Sequence, residues 1–149
     1  MKIHLVAGGP ANLIPDFHLY DETNVIWIGI DRGVFYLLKA GIKPSAAFGD
    51  FDSVSEAELT EIEEAVSDLN KFKPEKDETD MELALNWALE QEPESIKVFG
   101  ATGGRLDHLM ANIQLLVKPL QDRSSIHIEI IDKRNILYIK GPGTYTVSR

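Results

Sequence analysis

Two aspartates one residue apart, Asp50 and Asp52 in Gly49-Asp50-Phe51-Asp52-Ser53, follow the small apolar run Ala46-Ala47-Phe48. That run reads as a short buried strand, so the acids project where it gives out. In extended backbone alternate side chains share a face, which would bring the two carboxylates together and turn Phe51 inward. Acids held that close need a cation, and oxygen-only ligands, without cysteine or a histidine pair, suit Mg2+ better than zinc. A second pair, Asp77 and Asp80 in Lys76-Asp77-Glu78-Thr79-Asp80, stands at the mouth of a helix. Facing the first pair, it would complete a site too negative to persist empty, in which Mg2+ holds phosphate oxygens and Lys76 is a phosphate partner. Gly100-Ala101-Thr102-Gly103-Gly104-Arg105 combines closely approachable backbone, a helix amino end and a guanidinium, all suited to an anionic phosphate chain. It matches neither G-x-x-x-x-G-K-S/T nor G-x-G-x-x-G, which excludes a P-loop or dinucleotide fingerprint. Arg105, His108 and Asn112, at i, i+3 and i+7, share one side of the helix that follows. Taken singly, each stretch is also what a solvated acidic turn or a plain strand-to-helix turn looks like.

The elements between these stretches decide whether they meet. Ile3 to Ala7 is an apolar run closed by Gly8-Gly9-Pro10, and Val25-Ile26-Trp27-Ile28-Gly29-Ile30 ends in Asp31-Arg32-Gly33. Both suit parallel strands buried on two faces. A helix is expected through Phe35, Leu37 and Leu38 to Ala40, stopped by Gly41 and Pro44. Ser55 with Glu58 and Thr79 with Glu82 form two capping boxes, each opening a helix, and Lys71-Phe72-Lys73 lies between as a short strand. Ser95 to Phe99 is a further strand, and the helix after it carries Leu109, Ile113, Leu116, Val117 and Leu120 on one side. Strands alternating with helices predict a doubly wound, mainly parallel α/β sheet over residues 1–125, with ligands gathering beyond the carboxyl ends of the strands. Every chemical stretch falls at such an end. From residue 126 the pattern alternates over Ile126 to Ile130, Asn135 to Lys140 and Thr144 to Val147, which predicts the first strands of an all-β sandwich domain spanning 126–149, incomplete in this chain.

The 149 residues suffice for one domain with a core. A formal charge of −9 argues against nucleic acid or an anionic membrane as partner, because both require a basic face. Cysteine is absent, which excludes disulfides and zinc-thiolate sites and is compatible with a cytoplasmic location. No apolar stretch reaches the ~18 residues of a membrane span, and Met1-Lys2-Ile3-His4-Leu5 does not begin a signal peptide.

In the order Asp31-Arg32-Gly33, Gly49 to Ser53, Lys76 to Asp80 and Gly100 to His108, the chain resembles the thiamin pyrophosphokinase (thiamine diphosphokinase) family. The resemblance implies an N-terminal α/β domain that binds Mg-ATP, a C-terminal β-sandwich continuing past Arg149, and a homodimer with the thiamine site between subunits. The implied reaction moves a pyrophosphoryl group from ATP to thiamine, giving thiamine diphosphate and AMP. By position, Asp50, Asp52, Asp77 and Asp80 are implied as metal and catalytic acids, with Asp31 nearby. Lys76, Thr79, Thr102, Gly103, Gly104, Arg105 and His108 are implied as nucleotide contacts supported by Asn112. Two other readings fit the same acids: a pyrophosphokinase for another alcohol such as a hydroxymethylpterin, and a nucleotide-binding module without turnover.

Overall fold

The computed structural model describes residues 1–49, 51, 54–65, 70–72, 79–122 and 125–148. Its strands are β1 (Lys2–Val6), β2 (Val25–Ile30), β3 (Ala46–Phe48), β4 (Asn70–Phe72), β5 (Ser95–Phe99), β6 (His127–Ile131) and β7 (Ile136–Leu137). They form one sheet in the order β4-β3-β2-β1-β5-β6-β7, parallel throughout except for the antiparallel pairing of β6 with β7. The helices are α1 (Arg32–Lys39), α2 (Glu56–Ala65), α3 (Asp80–Glu90), α4 (Leu106–Leu115) and α5 (Val117–Gln121). Among the described residues no helix is long and apolar enough to cross a membrane.

The apolar residues of the strands sort onto two faces. Ile3, Leu5, Ile28, Phe48, Ile96 and Val98 pack against Met81, Ala84, Leu85 and Ala88 of α3 and against Leu116. On the other face Val6, Trp27 and Phe99 meet Leu37 of α1 and Phe17, while Ala47 and Phe51 meet Val34 and Ile62. Near-continuous burial along β1, β2 and β3 is what helices on both sides impose on a parallel sheet. The Ser55 capping box forms in full, the Ser55 hydroxyl accepting from the Glu58 amide at 3.1 Å and Glu58 from the Ser55 amide at 3.4 Å, and at Thr79 the N-cap bond forms, its hydroxyl accepting from the Glu82 amide at 3.1 Å.

Three expectations change. The chain from 126, read as opening a separate all-β unit, instead contributes β6 and β7 to the same sheet. Its alternation has a local cause: Ile128 and Ile130 are buried against the α3 side, whereas His127 is exposed and Glu129 half-buried on the other side, where Glu129 pairs with Lys97 at 3.4 Å. A parallel strand with one half-open face shows the period expected of a sandwich strand. Residues 144–148 form no strand. The single helix expected through Leu120 breaks at Leu116, because Pro119 has no N–H to give the carbonyl one turn before it.

His4 is the one buried polar side chain of the described core. Its ring lies edge-on to Trp27 and Phe99, and neither nitrogen has a hydrogen-bond partner. Burial, and next the Lys97 charge, push its pKa down from 6.5 to about 4. The folded state therefore binds fewer protons than the unfolded chain between those values, and stability is lost as pH falls from 6.5 toward 4. Replacement by Phe should flatten that part of the pH–stability curve by roughly 2–3 kcal/mol, read from urea denaturation at several pH values; an unchanged slope would remove His4 as its cause.

Candidate active site

The loops after β1 and β5 leave the sheet toward opposite faces, and between their exits lies the topological switch point at which open α/β sheets form crevices. A crevice of about 470 Å³ occupies this place, lined by Ala7 to Pro10, Ile30 and Asp31, Thr79 to Met81, Gly100 to Arg105, and His108, Ala111 and Asn112 of α4. The two loops touch. Ala7 N–H donates to the Phe99 carbonyl and Gly9 N–H to that of Gly100, both at 2.8 Å, and Tyr36 Oη donates to the Gly9 carbonyl at 2.9 Å. Gly100, at φ 72°, leaves no room for a side chain: a Cβ there would stand 2.1 Å from the Ala7 carbonyl oxygen.

Asp31 ends β2 and turns its carboxylate toward the loop after β3. Its Oδ1 accepts from the Phe51 amide at 3.0 Å, and a Cβ on Gly49 would stand 2.3 Å from the same oxygen. Phe51 is buried, as the sequence suggests, but its own backbone has φ 62° rather than the extended value expected there. Asp31 thus holds the backbone on both sides of Asp50. Asp50 itself, with Asp52, Lys76 and Asp77, lies outside the described residues.

Asp80, the first residue of α3, lines the crevice, and its Oδ1 is buried without a hydrogen-bond partner. Leaving a buried carboxylate oxygen unsatisfied costs on the order of 1–3 kcal/mol or more, so an atom in that state fits the ligand of a cation. Among the described residues no cluster of three acidic or histidine side chains capable of holding a metal is formed.

Across from Asp80, α4 presents its amino end. Arg105 is its N-cap residue and makes no side-chain cap, and in the first turn of α4 the His108 amide bonds to the Asp107 carboxyl. The Arg105 guanidinium instead donates through Nε and Nη2 to Asp107, and these bonds hold the Asp107 carboxyl below its usual range. Thr79 spends its hydroxyl on the α3 cap, and Asn112 Nδ2 reaches the Ala101 carbonyl at 3.5 Å, the edge of hydrogen-bonding range. His108 is exposed on the crevice rim. Asp132, at the end of β6, was not among the residues the sequence singled out: its Oδ2 accepts the Thr102 hydroxyl at 2.8 Å. Thirty residues separate the two, and a D-x-x-N turn gives no local sign of that contact. Tyr36 was likewise missed.

Residues 17–130 match the model of the thiamin pyrophosphokinase catalytic domain. The chain is 50 % identical over 147 residues to thiamine pyrophosphokinase of Bacillus subtilis (strain 168), covering 99 % of this chain and 68 % of that protein. The crystal structure of thiamin pyrophosphokinase from Geobacillus thermodenitrificans superposes with a TM-score of 0.91 at 52 % identity, over 99 % of this chain and 66 % of that one. That of the Bacillus subtilis enzyme does so with a TM-score of 0.85 at 52 % identity, over 89 % and 61 % respectively. The chain thus spans less than two thirds of the length of either crystal structure.

The contact between the β1 and β5 exits should be intolerant of a methyl group. Gly100→Ala combines a positive φ, which costs roughly 1–3 kcal/mol in a residue with a side chain, with a collision against backbone that cannot withdraw without breaking the Gly9 hydrogen bond. Chemical denaturation should show a loss of at least that size, whereas Gly104→Ala, where a Cβ would meet nothing within 4 Å, should lose only the conformational part. Equal losses would show that the contact contributes nothing.

Proposed function

Because the chain belongs to the thiamin pyrophosphokinase family, we propose that it transfers a pyrophosphoryl group from ATP to the hydroxyethyl oxygen of thiamine, releasing AMP and forming thiamine diphosphate. The observation that carries this reading is the crevice at the switch point, which sets the glycine-rich loop and the amino end of α4 opposite the unpartnered oxygen of Asp80. One wall suits an anion and the other a cation, which is the arrangement that a metal-bound triphosphate needs.

In this reading the thiamine hydroxyl oxygen attacks the β-phosphorus. The bond from that phosphorus to the oxygen shared with the α-phosphate breaks, and AMP leaves with that oxygen. Thr102 to Arg105 and the first amides of α4 bind the phosphate chain, with Lys76 and His108 beside them, and hold it for in-line attack. Asp80, with Asp50, Asp52 and Asp77, would hold Mg2+, which supplies charge neutralisation and orients phosphate oxygens when bound. One of these carboxylates accepts the hydroxyl proton. Asp31 keeps the Asp50 loop in place through the Phe51 amide. The same reading makes the enzyme a cytoplasmic homodimer with thiamine bound between subunits, and takes the chain from residue 126 as leading into a C-terminal all-β unit.

Incubation with thiamine, ATP and Mg2+ should release AMP and thiamine diphosphate. ADP in place of AMP would overturn the pyrophosphoryl assignment. Product from a hydroxymethylpterin alone would move it to another alcohol, and Mg-ATP binding without either product would leave a nucleotide-binding module. Asp80→Asn should reduce turnover by about a hundredfold or more, the scale of losing a transition-state electrostatic partner. It should not lower the melting temperature, because the oxygen it alters has no partner to lose. Wild-type turnover in that variant would discard Asp80 as a metal ligand.

A further inference from the structure

Resting on the nucleotide reading of the crevice, we infer that Asp132 is a positioning residue that sets the phosphate-binding loop through the hydroxyl of Thr102. The two oxygens of Asp132 face different tasks. Oδ1 accepts from the Arg134 amide at 2.8 Å and from the Asn135 amide at 2.7 Å, closing the β6–β7 turn. Oδ2 accepts the Thr102 hydroxyl at 2.8 Å, and this bond crosses from the turn to the loop after β5. Burial alone would raise the carboxyl's pKa, but the bonds from Thr102, the two amides and the Asn135 side chain outweigh it and hold it below the usual carboxylate range. It is therefore charged at neutral pH, and its bond to Thr102 is of the stronger, charge-assisted kind.

The tie matters because little else fixes the crest of that loop. Gly103 and Gly104 both adopt left-handed φ, 77° and 71°, and both are exposed. Among the described residues, the loop's support from the α4 side is the long Asn112 contact to the Ala101 carbonyl. The turn that carries Asp132 is itself anchored, since Lys133 N–H donates to the Leu13 carbonyl at 2.8 Å, and Leu13 lies beneath Gly103. Asp132 thus joins the cradle to a turn braced against the β1 loop. The Thr102 hydroxyl proton is committed to Asp132 rather than to a phosphate, so the loop's contribution to an anion comes through its amides, whose direction this bond sets.

Thr102→Val removes the hydroxyl while leaving the turn bonds of Asp132 untouched, and Thr102→Ser restores it. In the ligand-free protein, amide exchange over residues 100–105 should speed up by about tenfold in the Val variant, the scale of one lost charge-assisted hydrogen bond, and return to the wild-type rate in the Ser variant. Calorimetry should find Mg-ATP bound about tenfold more weakly by Thr102→Val and by Asp132→Ala. The double variant should be no weaker than Asp132→Ala alone, because Asp132→Ala has already removed the bond that Thr102→Val deletes. Multiplying effects, or a Val variant with wild-type exchange and affinity, would overturn the assignment. The exchange measurement needs no nucleotide, so it scores the tie even if the wild-type protein binds no Mg-ATP, a result that would count against the nucleotide reading instead.

Discussion

Where β1 and β5 end, two peptide backbones lie in contact with no side chain between them, and the rest of the carboxyl edge depends on that contact. Gly9 and Gly100 share a hydrogen bond, and each would collide with the other loop if it carried a Cβ. Adjacent parallel strands leaving toward opposite faces would ordinarily splay. Here the loops stay together at their base and part only beyond it, which shapes a crevice with a floor of backbone rather than a gap in the sheet. Tyr36 on α1 and Arg32, whose Cβ lies 2.9 Å from the place a Cβ on Gly8 would take, brace the β1 loop from behind.

Around this floor the polar groups are divided in a way that composition does not reveal. The chain carries 24 acidic against 15 basic residues, yet the described carboxylates at the crevice act chiefly on backbone and hydroxyls. Asp31 accepts from the Phe51 amide, and Asp132 from turn amides and Thr102. Asp80 alone among the described aspartates of the crevice has a buried oxygen with no partner. An acid that organises backbone and an acid that awaits a ligand look alike in sequence and differ only in what surrounds them.

What could be read from the sequence follows from how local each cause is. The caps at Ser55 and Thr79 involve residues three apart, and the strands before Gly8, Asp31, Gly49 and Gly100 declare themselves by short, largely apolar stretches; all of these stand where the pattern puts them. The β6 assignment failed because a parallel strand whose first residues are half-exposed on one face shows the alternation of a different architecture. Phe51 defeated the extended reading because its backbone is turned by Asp31, twenty residues earlier. Asp132 escaped notice for the same reason, its partner being thirty residues away. Contacts closed by the fold, rather than by the chain's own period, are where local patterns stop being informative.

On the proposed reading of the crevice, the pairing of Arg105 with Asp107 decides the state in which an anion would meet the guanidinium. Because two of the guanidinium's donors are occupied by a carboxylate of the same helix turn, a free anion does not order a wandering side chain; it trades places with a resident one. Both side chains are largely exposed to solvent, so the resident carboxylate holds the guanidinium only lightly and gives it up readily to a stronger acceptor.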